Sequence, residues 1–287
     1  MAQILTGKEV TEALNSELSQ RSDALRKAGT VPTLGIVRLG DRPDDSAYER
    51  GAIKRAELTG IYIKKYEYSE NINQELLIEE INSINSDETV HGVLIFLPLP
   101  SHIDENVVRD TLAPEKDVDG ITNISQFGVY EGSEQKGYPP CTAEACIKLM
   151  EHYGIEPEGK NVAVIGRSQV IGKPVAMMLL KRNATVTICH TRTRNLAEVC
   201  RDKDIIISAA GHAGTVTEDM MSDDQIIIDV AVNFDSEGKM CGDADRAAAE
   251  KHVKAFTPVP GGVGTVTTGI LMKHVIEAAE RRAYKNN

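Results

Sequence analysis

One segment of the chain, DDSAYERGAIKRAELTGI at residues 44–61, places a tyrosine and a lysine on a predicted helix. Tyr48 offers an aromatic ring, and Lys54 offers an amine that could transfer a proton. The residue one turn after Tyr48 is Ala52. At about 100° per residue, Lys54 lies roughly 200° around the helix from Ala52, so its side chain is expected to point away from the face that carries Tyr48.

A glycine-containing turn joins an apolar strand to a helix in NVAVIGRSQVIGKP, residues 161–174. Gly166 follows the strand directly, and Gly172 opens the helix, whose N-terminal amides could face a phosphate. The turn departs from G-x-G-x-x-G, because Ser168 replaces the second glycine and the last glycine comes one residue late. Taken alone, the segment is equally compatible with a tight strand-to-helix turn. The order of strand, turn, helix and strand favours a dinucleotide site.

The end of the next strand, ICHTRTRN, indicates which dinucleotide would bind. An NAD site usually carries an acidic residue there for the ribose hydroxyls, and this segment has none. It offers the hydroxyls and guanidiniums of Thr191, Thr193, Arg192 and Arg194. Because an arginine fork matches phosphate oxygens two at a time, the segment predicts NADP, with NAD as the alternative. The arginines could also belong to a solvated loop, and His190 is interpreted as a strand-end histidine.

The predicted elements fall into two alternations of strands and helices, which indicate an α/β fold with parallel sheets. The first comprises helix 8–28, strand Thr33–Leu39, helix Asp45–Leu58, strand 61–68, helix Glu75–Ile84 and strand 91–100. Residues 113–140 contain several prolines and glycines and predict an irregular connection between domains. Thr142 is then expected to cap a helix that ends near Tyr153.

The second alternation has the order of a mononucleotide-binding unit. It comprises strand Asn161–Ile165, helix Gly172–Arg182, strand Thr185–His190, helix Leu196–Arg201, strand Asp204–Ala209 and strand Gln225–Val230. A final helix, Thr267–Tyr284, lies outside this unit and is expected to pack back on the first domain. We therefore predict one domain from residues 1–143 plus 268–287 and a Rossmann-type dinucleotide-binding domain from residues 144–267.

Composition excludes several classes of protein. The chain has 287 residues, 41% of them hydrophobic, which suffices for a substantial core. A net charge of −11 and the absence of tryptophan argue against a nucleic-acid surface. Five cysteines without a Cys-x-x-Cys pair predict reduced thiols, and the seven histidines show no metal-ligand spacing. With no signal peptide and no long apolar run, we expect a cytoplasmic protein that is not associated with membranes.

Six motifs in one order carry a resemblance to a known family: YERGAIKRAELTGI, GVLIFLPLP, PEKDVDGIT, GRSQVIGKPVA, CHTRT and TPVPGGVGTVTT. The chain strongly resembles the methylenetetrahydrofolate dehydrogenase/cyclohydrolase family of one-carbon metabolism over essentially its whole length. The combination of KDVDG with TPVPGGVG is highly specific. The resemblance implies that the first domain and the final helix bind the tetrahydrofolate substrate, that the second domain binds the nicotinamide nucleotide, and that the protein is a homodimer.

The resemblance also implies roles for residues of the first domain. Tyr48 corresponds to the tyrosine that stacks against folate, and Asp119 to the carboxylate that binds the amino and ring N–H groups of the pterin. Leu97 is assigned to the same substrate site. Without the resemblance, Tyr48 could be an ordinary helix residue, and Asp119 could be a turn former.

Two further sets of residues are implied in the second domain. The loop that closes over substrate and nicotinamide consists of Pro260, Gly261, Gly262, Val263 and Gly264. The residues at positions that contact the dinucleotide are Gly166, Arg167, Ser168, Thr191, Arg192 and Val232. Alone, the first set could be any glycine-rich turn.

The resemblance fails at two positions. In this family a lysine that acts in hydrolysis follows the tyrosine by four residues, in the pattern Y-V-x-x-K-x-K. The spacing to the flanking motifs is kept here, so this lysine position falls on Ala52, and Lys54 matches the second lysine. The family glutamine of V-Q-L-P-L-P, which holds the lysine amine, is replaced by Phe96, although Phe96 could also serve plain strand packing.

The two reactions of the family differ in what they require. In dehydrogenation a folate nitrogen lone pair expels hydride, so positioning against the nicotinamide is most of the task. Hydrolysis of the methenyl cation needs proton transfer, to which a positioned acid–base group contributes roughly 10²–10⁴-fold. We therefore expect an NADP-dependent methylenetetrahydrofolate dehydrogenase whose cyclohydrolase activity is weak or absent, with a separate cyclohydrolase in the cell.

Three alternatives remain open from the sequence. The first is the fully bifunctional enzyme, in which Lys54 or another group reaches the substrate. The second is a folate- and nucleotide-binding protein without catalysis. The third is a two-domain dehydrogenase with a different substrate, against which the KDVDG and PGGVG motifs stand.

Overall fold

The computed structural model describes residues 1–133 and 136–285. The strands are β1 Gln3–Ile4, β2 Thr33–Leu39, β3 Tyr62–Tyr68, β4 Gly92–Ile95, β5 Asn161–Ile165, β6 Thr185–Cys189, β7 Ile205–Ser208, β8 Ile226–Asp229, β9 Asn233–Phe234, β10 Met240–Cys241 and β11 Ala255–Phe256. The helices are α1 Gly7–Lys27, α2 Pro43–Thr59, α3 Gln74–Ser86, α4 Glu105–Thr111, α5 Asn123–Glu131, α6 Cys141–His152, α7 Gly172–Lys181, α8 Leu196–Arg201, α9 Arg246–His252 and α10 Gly264–Lys285.

The chain divides into two compact units, which we name after their main sheets. The three-stranded unit contains residues 13–141 and 268–287, and the six-stranded unit contains residues 1–12 and 142–267. The N-terminal boundary differs from the expected one, which began the first domain at residue 1. The cause is β1, which pairs in parallel with β11 through Gln3–Ala255 and Ile4–Phe256 and so carries the first residues into the six-stranded unit.

The three-stranded unit is built on a parallel sheet with the order β3-β2-β4. The central strand β2 is almost wholly buried, whereas the edge strand β3 is partly exposed along its length. Asn73 caps helix α3, because its side chain accepts a hydrogen bond from the Leu76 amide, an arrangement typical of helix N-termini. Its buried residue Ile81 belongs to one core cluster with Val37 of β2 and Val93 of β4.

The prediction of an irregular connection over residues 113–140 was wrong, because α5 lies within it. Thr122 caps this helix by accepting a hydrogen bond from the Ser125 amide, and Gly132 ends it with a φ of 74°. Its apolar side chains Ile124 and Phe127 are exposed, so no amphipathic pattern marks the helix in the sequence. The short helix α4, capped by Asp104, was also not predicted.

The six-stranded unit contains a parallel sheet with the order β1-β11-β8-β7-β5-β6. The chain runs from β5 to its neighbour β6 at one edge and then returns to β7 on the other side of β5. The strand order therefore reverses between β5 and β7. In open α/β sheets, dinucleotides bind outside the carboxyl ends of the strands at this switch point. The alternation predicted for this unit thus produces the expected Rossmann-type sheet.

The final helix starts at Gly264, three residues before its predicted start. From residue 268 onward it belongs to the three-stranded unit, which confirms that the C-terminal helix packs back on the first domain. There, Glu280 accepts a hydrogen bond of 2.7 Å from the Arg21 guanidinium of α1. Within residues 1–133 and 136–285, none of the helices combines the length and apolar content that crossing a bilayer requires.

We predict that Ile81→Ala lowers the free energy of unfolding by about 2–5 kcal/mol, because this 1% exposed side chain fills the core between α3 and the sheet. Urea denaturation followed by circular dichroism measures the change. Leu76→Ala is the matched control on the same helix, since Leu76 is 45% exposed, and its effect should stay within about 0.5 kcal/mol. Equal losses in the two variants would contradict this description of the core.

Candidate active site

An aromatic pair forms one wall of the candidate site in the three-stranded unit. The ring of Tyr48, on α2, meets the ring of Phe96 edge to face with 5.9 Å between centroids and 86° between planes. Phe96 directly follows β4, and its backbone amide donates a hydrogen bond to the Val37 carbonyl of β2. The ladder of the sheet therefore fixes the backbone of Phe96, and the edge-to-face contact fixes the ring of Tyr48.

The helix position that follows Tyr48 by one turn is apolar and closed to solvent. Ala52 has no exposed surface, whereas Lys54 is exposed. A methyl group can neither give nor accept a proton, and neither can a phenyl ring, so Ala52 and Phe96 supply no acid–base group. Ala52 lies on α2 one turn after Tyr48, and Phe96 packs against the Tyr48 ring.

Asp119 supplies the carboxylate of the site and lies partly buried within the KDVDG turn, residues 116–120. Burial raises the pKa of Asp119 to about 6, and the nearby charge of Asp117 acts in the same direction, while a hydrogen bond from Cys141 opposes the shift. The pKa of Tyr48 is raised well above its usual value, first by burial and then by the negative charge of Asp119. At neutral pH the site therefore combines an ionised carboxylate with a protonated phenol.

The KDVDG turn is held from within by its first two charged residues. The Asp117 carboxylate accepts hydrogen bonds from the backbone amides of Ile121 at 3.0 Å and Thr122 at 2.8 Å. The Lys116 ammonium donates to the carbonyls of Ile84 and Asp87. Burial lowers the pKa of Lys116 to about 8. These bonds fix the backbone on which Asp119 stands.

Two residues beside Asp119 were missed by the sequence prediction. The Cys141 thiol donates to the Val118 carbonyl at 3.2 Å, and Nδ1 of His274 lies 2.8 Å from the same oxygen. The ring of His274 also packs against Tyr138, with 4.9 Å between centroids. Sequence patterns could not join these residues, because 133 positions separate Cys141 from His274. Leu97, which was assigned to the substrate site, packs partly buried against the core cluster of the sheet.

The glycine turn of the six-stranded unit lies at the switch point, after β5. Gly166 has a φ of 124°, and a Cβ at this residue would collide with the Ala209 carbonyl oxygen at the end of β7. The hydroxyl of Ser168 accepts hydrogen bonds from the amides of Ile171 at 3.1 Å and Gly172 at 3.4 Å, at the start of α7. Ser168 thus stabilises the turn at the position where the consensus has its second glycine.

The predicted ribose-phosphate segment follows β6 as a tight turn. The His190 amide donates to the Thr193 hydroxyl at 2.9 Å, and the Arg192 amide donates to Nδ1 of His190 at 3.1 Å. His190 is therefore satisfied within the turn, as expected for a strand-end histidine. The side chains of Thr191 and Arg192 are exposed, as is Arg167 in the glycine turn.

The predicted closing loop is anchored within the six-stranded unit. Gly261 has a φ of 103°, and its carbonyl accepts a hydrogen bond of 2.8 Å from the Gly7 amide. The Gly262 carbonyl accepts from the Thr265 hydroxyl at 2.8 Å. Pro260 is exposed and Val263 is buried, while Gly264 already belongs to α10. Val232, after β8, is 54% exposed.

Two buried carboxylates of this unit were also not predicted. Asp229, at the end of β8, accepts hydrogen bonds from the amides of Ala231 and Ala244, and burial raises its pKa to about 6. Asp243, after β10, is fully buried and accepts several more. In the part of the chain that the structure describes, no group of three or more histidine, cysteine or acidic side chains is arranged to hold a metal ion.

Comparisons with known proteins agree with this arrangement. Residues 5–119 match the family profile described as tetrahydrofolate dehydrogenase/cyclohydrolase, catalytic domain, and residues 140–283 match its NAD(P)-binding domain. The bifunctional protein FolD of Clostridioides difficile strain 630 is 46% identical over 278 residues, which cover 97% of this chain and 96% of that protein.

Two solved structures extend the comparison to the fold. The bifunctional enzyme FolD from Campylobacter jejuni matches with a TM-score of 0.95 and 36% identity, covering 98% of this chain and 100% of the other. The Trypanosoma brucei enzyme, solved in complex with NADP cofactor and inhibitor, matches with a TM-score of 0.91 and 33% identity, covering 98% of each chain. By sequence and by fold, this chain belongs to the tetrahydrofolate dehydrogenase/cyclohydrolase family.

Proposed function

We propose that this chain oxidises 5,10-methylenetetrahydrofolate to 5,10-methenyltetrahydrofolate by hydride transfer to NADP. The observation that carries the proposal is that Tyr48 lies close enough to the Asp119 carboxylate for that charge to raise its pKa, in the unit that matches the family's catalytic domain. Spectroscopic detection of NADPH formation by the purified protein, with and without the folate, tests the proposal. Absence of folate-dependent reduction would leave only the folate-binding protein without catalysis or a dehydrogenase for another substrate.

The roles of the residues follow from their environment. Above a pH of about 6, Asp119 is ionised and can accept hydrogen bonds from the amino and ring N–H groups of the pterin. Tyr48 presents a ring that can pack on the folate and holds its proton, because its pKa is raised. Hydride departure requires no proton transfer, so this donor, acceptor and ring are sufficient when the nicotinamide is in place.

The choice of NADP rests on the residues after β5 and β6. Arg167 and Arg192 are exposed guanidiniums, and Thr191 adds a hydroxyl beside them. A 2′-phosphate, which NADP has and NAD lacks, is the group that such donors bind. The Trypanosoma brucei relative was solved with NADP, which supports the same choice. NAD is the alternative cofactor.

The comparisons with relatives and the side chains of the site favour different conclusions about the hydrolytic step. Relatives that are 42–46% identical over almost the whole chain are named bifunctional proteins, and they favour the bifunctional alternative over a dehydrogenase alone. The methyl of Ala52 and the ring of Phe96 favour weak or absent cyclohydrolase activity, since neither side chain can transfer or hold a proton at the positions where the family carries its lysine and glutamine. Tyr48 itself is a poor base, because its pKa is raised.

We also propose that the protein acts in the cytoplasm as a homodimer. The dimer is supported by the family resemblance alone. The compartment is supported by the five cysteines, which are thiols and not disulfides and of which four are buried.

The first prediction from the proposed function concerns the fate of the methenyl product. With Ala52 and Phe96 in place, methenyltetrahydrofolate is expected to accumulate during NADP reduction and to decay at its uncatalysed rate, as followed by its absorbance. The double variant Ala52→Lys with Phe96→Gln should accelerate that decay by about 10²-fold or more, because it restores an amine and its hydrogen-bond partner. Rapid methenyl decay with the unaltered protein would establish the bifunctional alternative.

The second prediction concerns Asp119. The KM for methylenetetrahydrofolate is expected to rise as the pH falls through about 6, because protonation removes the negative charge that accepts the pterin hydrogen bonds. Asp119→Asn should raise this KM about tenfold or more at pH 7.5 and abolish its pH dependence, with the KM for NADP unchanged. The same substitution at Asp110, on α4, is the control. A pH-independent KM in the unaltered protein would contradict the role of Asp119.

The third prediction concerns Arg192. Arg192→Ala is expected to raise the Kd for NADP about tenfold or more and to leave the Kd for NAD unchanged, because only NADP offers a 2′-phosphate to this guanidinium. Fluorescence titration of the purified protein measures both constants. Arg201→Ala, which removes an exposed arginine of α8, is the matched control. Equal weakening of NAD and NADP would assign Arg192 a structural role instead.

A further inference from the structure

One buried carboxylate organises the loop that leaves β7. Asp243 has no exposed surface, and its oxygens accept hydrogen bonds from three consecutive backbone amides, those of Ala210 at 2.7 Å, Gly211 at 3.3 Å and His212 at 2.8 Å. The hydroxyl of Ser208 and the side-chain amide of Asn233 donate to the same carboxylate at 2.8 Å and 3.0 Å. Five donors thus converge on one buried charge, so the backbone from residue 208 to residue 212 is fixed on it.

The bonds to Asp243 determine which backbone atoms the loop presents on its other side. In a trans peptide, the carbonyl oxygen points opposite to the amide hydrogen of the following residue. Because the amides of residues 210–212 point at Asp243, the carbonyls of residues 209–211 point away from it. The Ala209 oxygen accordingly lies against Gly166 of the glycine turn, where it excludes a Cβ.

The position of this loop connects it to the nucleotide. The loop follows β7 and the glycine turn follows β5, and these neighbouring strands flank the switch point of the sheet. The ends of the two strands therefore form the two sides of the crevice in which dinucleotides bind. The segment that carries Thr191 and Arg192 follows β6, on the far side of β5, and faces the adenosine end of such a ligand.

We propose that Asp243 is a positioning residue for the nicotinamide dinucleotide. It holds the loop of residues 209–211 with carbonyl acceptors turned toward the crevice, where they can receive ribose hydroxyls or an amide group. The loop serves the part of the dinucleotide beyond the 2′-phosphate, so Asp243 supports NADP and NAD equally. This inference rests on the proposed function, since it concerns the cofactor of that reaction.

The experiment measures the dissociation constants of three ligands for the Asp243→Asn variant. This substitution keeps the size of the side chain but places an NH₂ group among hydrogen-bond donors. The Kd for NADP and the Kd for NAD are both expected to rise by about tenfold or more, and by the same factor. The Kd for adenosine 2′,5′-bisphosphate, which carries only the adenosine end, should stay within about twofold. In turnover, the KM for NADP should rise while the KM for the folate stays unchanged, a split that a general loss of structure would not give.

Asp245→Asn is the matched control. Asp245 lies two residues away, is exposed and caps α9 by accepting a hydrogen bond from the Ala248 amide. Asparagine keeps an oxygen that can accept this bond, so the variant removes a nearby charge without touching the loop after β7. All three dissociation constants should be unchanged in this variant. Equal weakening of the three ligands by Asp243→Asn, or unchanged binding of NADP, would overturn the inference.

Ser208→Ala covers the case in which Asp243→Asn does not fold. It removes one neutral donor and keeps the buried charge with its three amide bonds, and the Kd for NADP should rise by about 2–5-fold, again equally for NAD. Unchanged binding in a folded Ser208→Ala protein would overturn the inference in that case. Failure of the unaltered protein to bind either dinucleotide would count instead against the proposed function.

Discussion

Buried carboxylates that accept hydrogen bonds from backbone amides hold the functional loops of both units. Asp117 fixes the turn that carries Asp119, Asp229 ties the end of β8 to the segment after β10, and Asp243 gathers the loop after β7. A buried charge without such partners would be very costly, so each loop and its carboxylate stabilise one another. The Asp119 side chain therefore stands on backbone that a neighbouring buried carboxylate fixes.

The two reactions of the family differ in what they require of the active site. Hydride transfer needs the two reacting groups to be oriented, which Asp119, Tyr48 and the nucleotide loops can provide through hydrogen bonds and ring packing. Proton transfer to water and to a departing nitrogen needs a group that changes its charge near neutral pH. The side chains of Ala52, Tyr48 and Phe96 are a methyl, a protonated phenol and a phenyl ring, and none of these changes charge in that range.

The sequence predicted the elements that have strong periodicity and missed those that depend on distant partners. The strands Thr33–Leu39 and Asn161–Ile165 have the predicted bounds, because apolar runs between turn residues mark buried parallel strands. Helix α5 carries exposed apolar side chains, and β1 has only two residues that are ordered by pairing with β11, so neither shows a local pattern. His274 and Asp243 show no local sequence pattern either, because their partners lie on other elements. Tyr48 and Asp119 could be predicted because they lie within recognisable motifs.

The division of the chain has a consequence for its synthesis. The three-stranded unit includes α10, and residues of that helix such as Ile270 and Val275 are fully buried. A ribosome therefore releases the sheet of β2, β3 and β4 well before the last segment that covers it exists. Domains usually fold in the order in which they are made, but here the three-stranded unit, whose sheet is made before the six-stranded one, can be completed only after it. Until then, the apolar surface that receives α10 must be shielded by transient packing or by a chaperone.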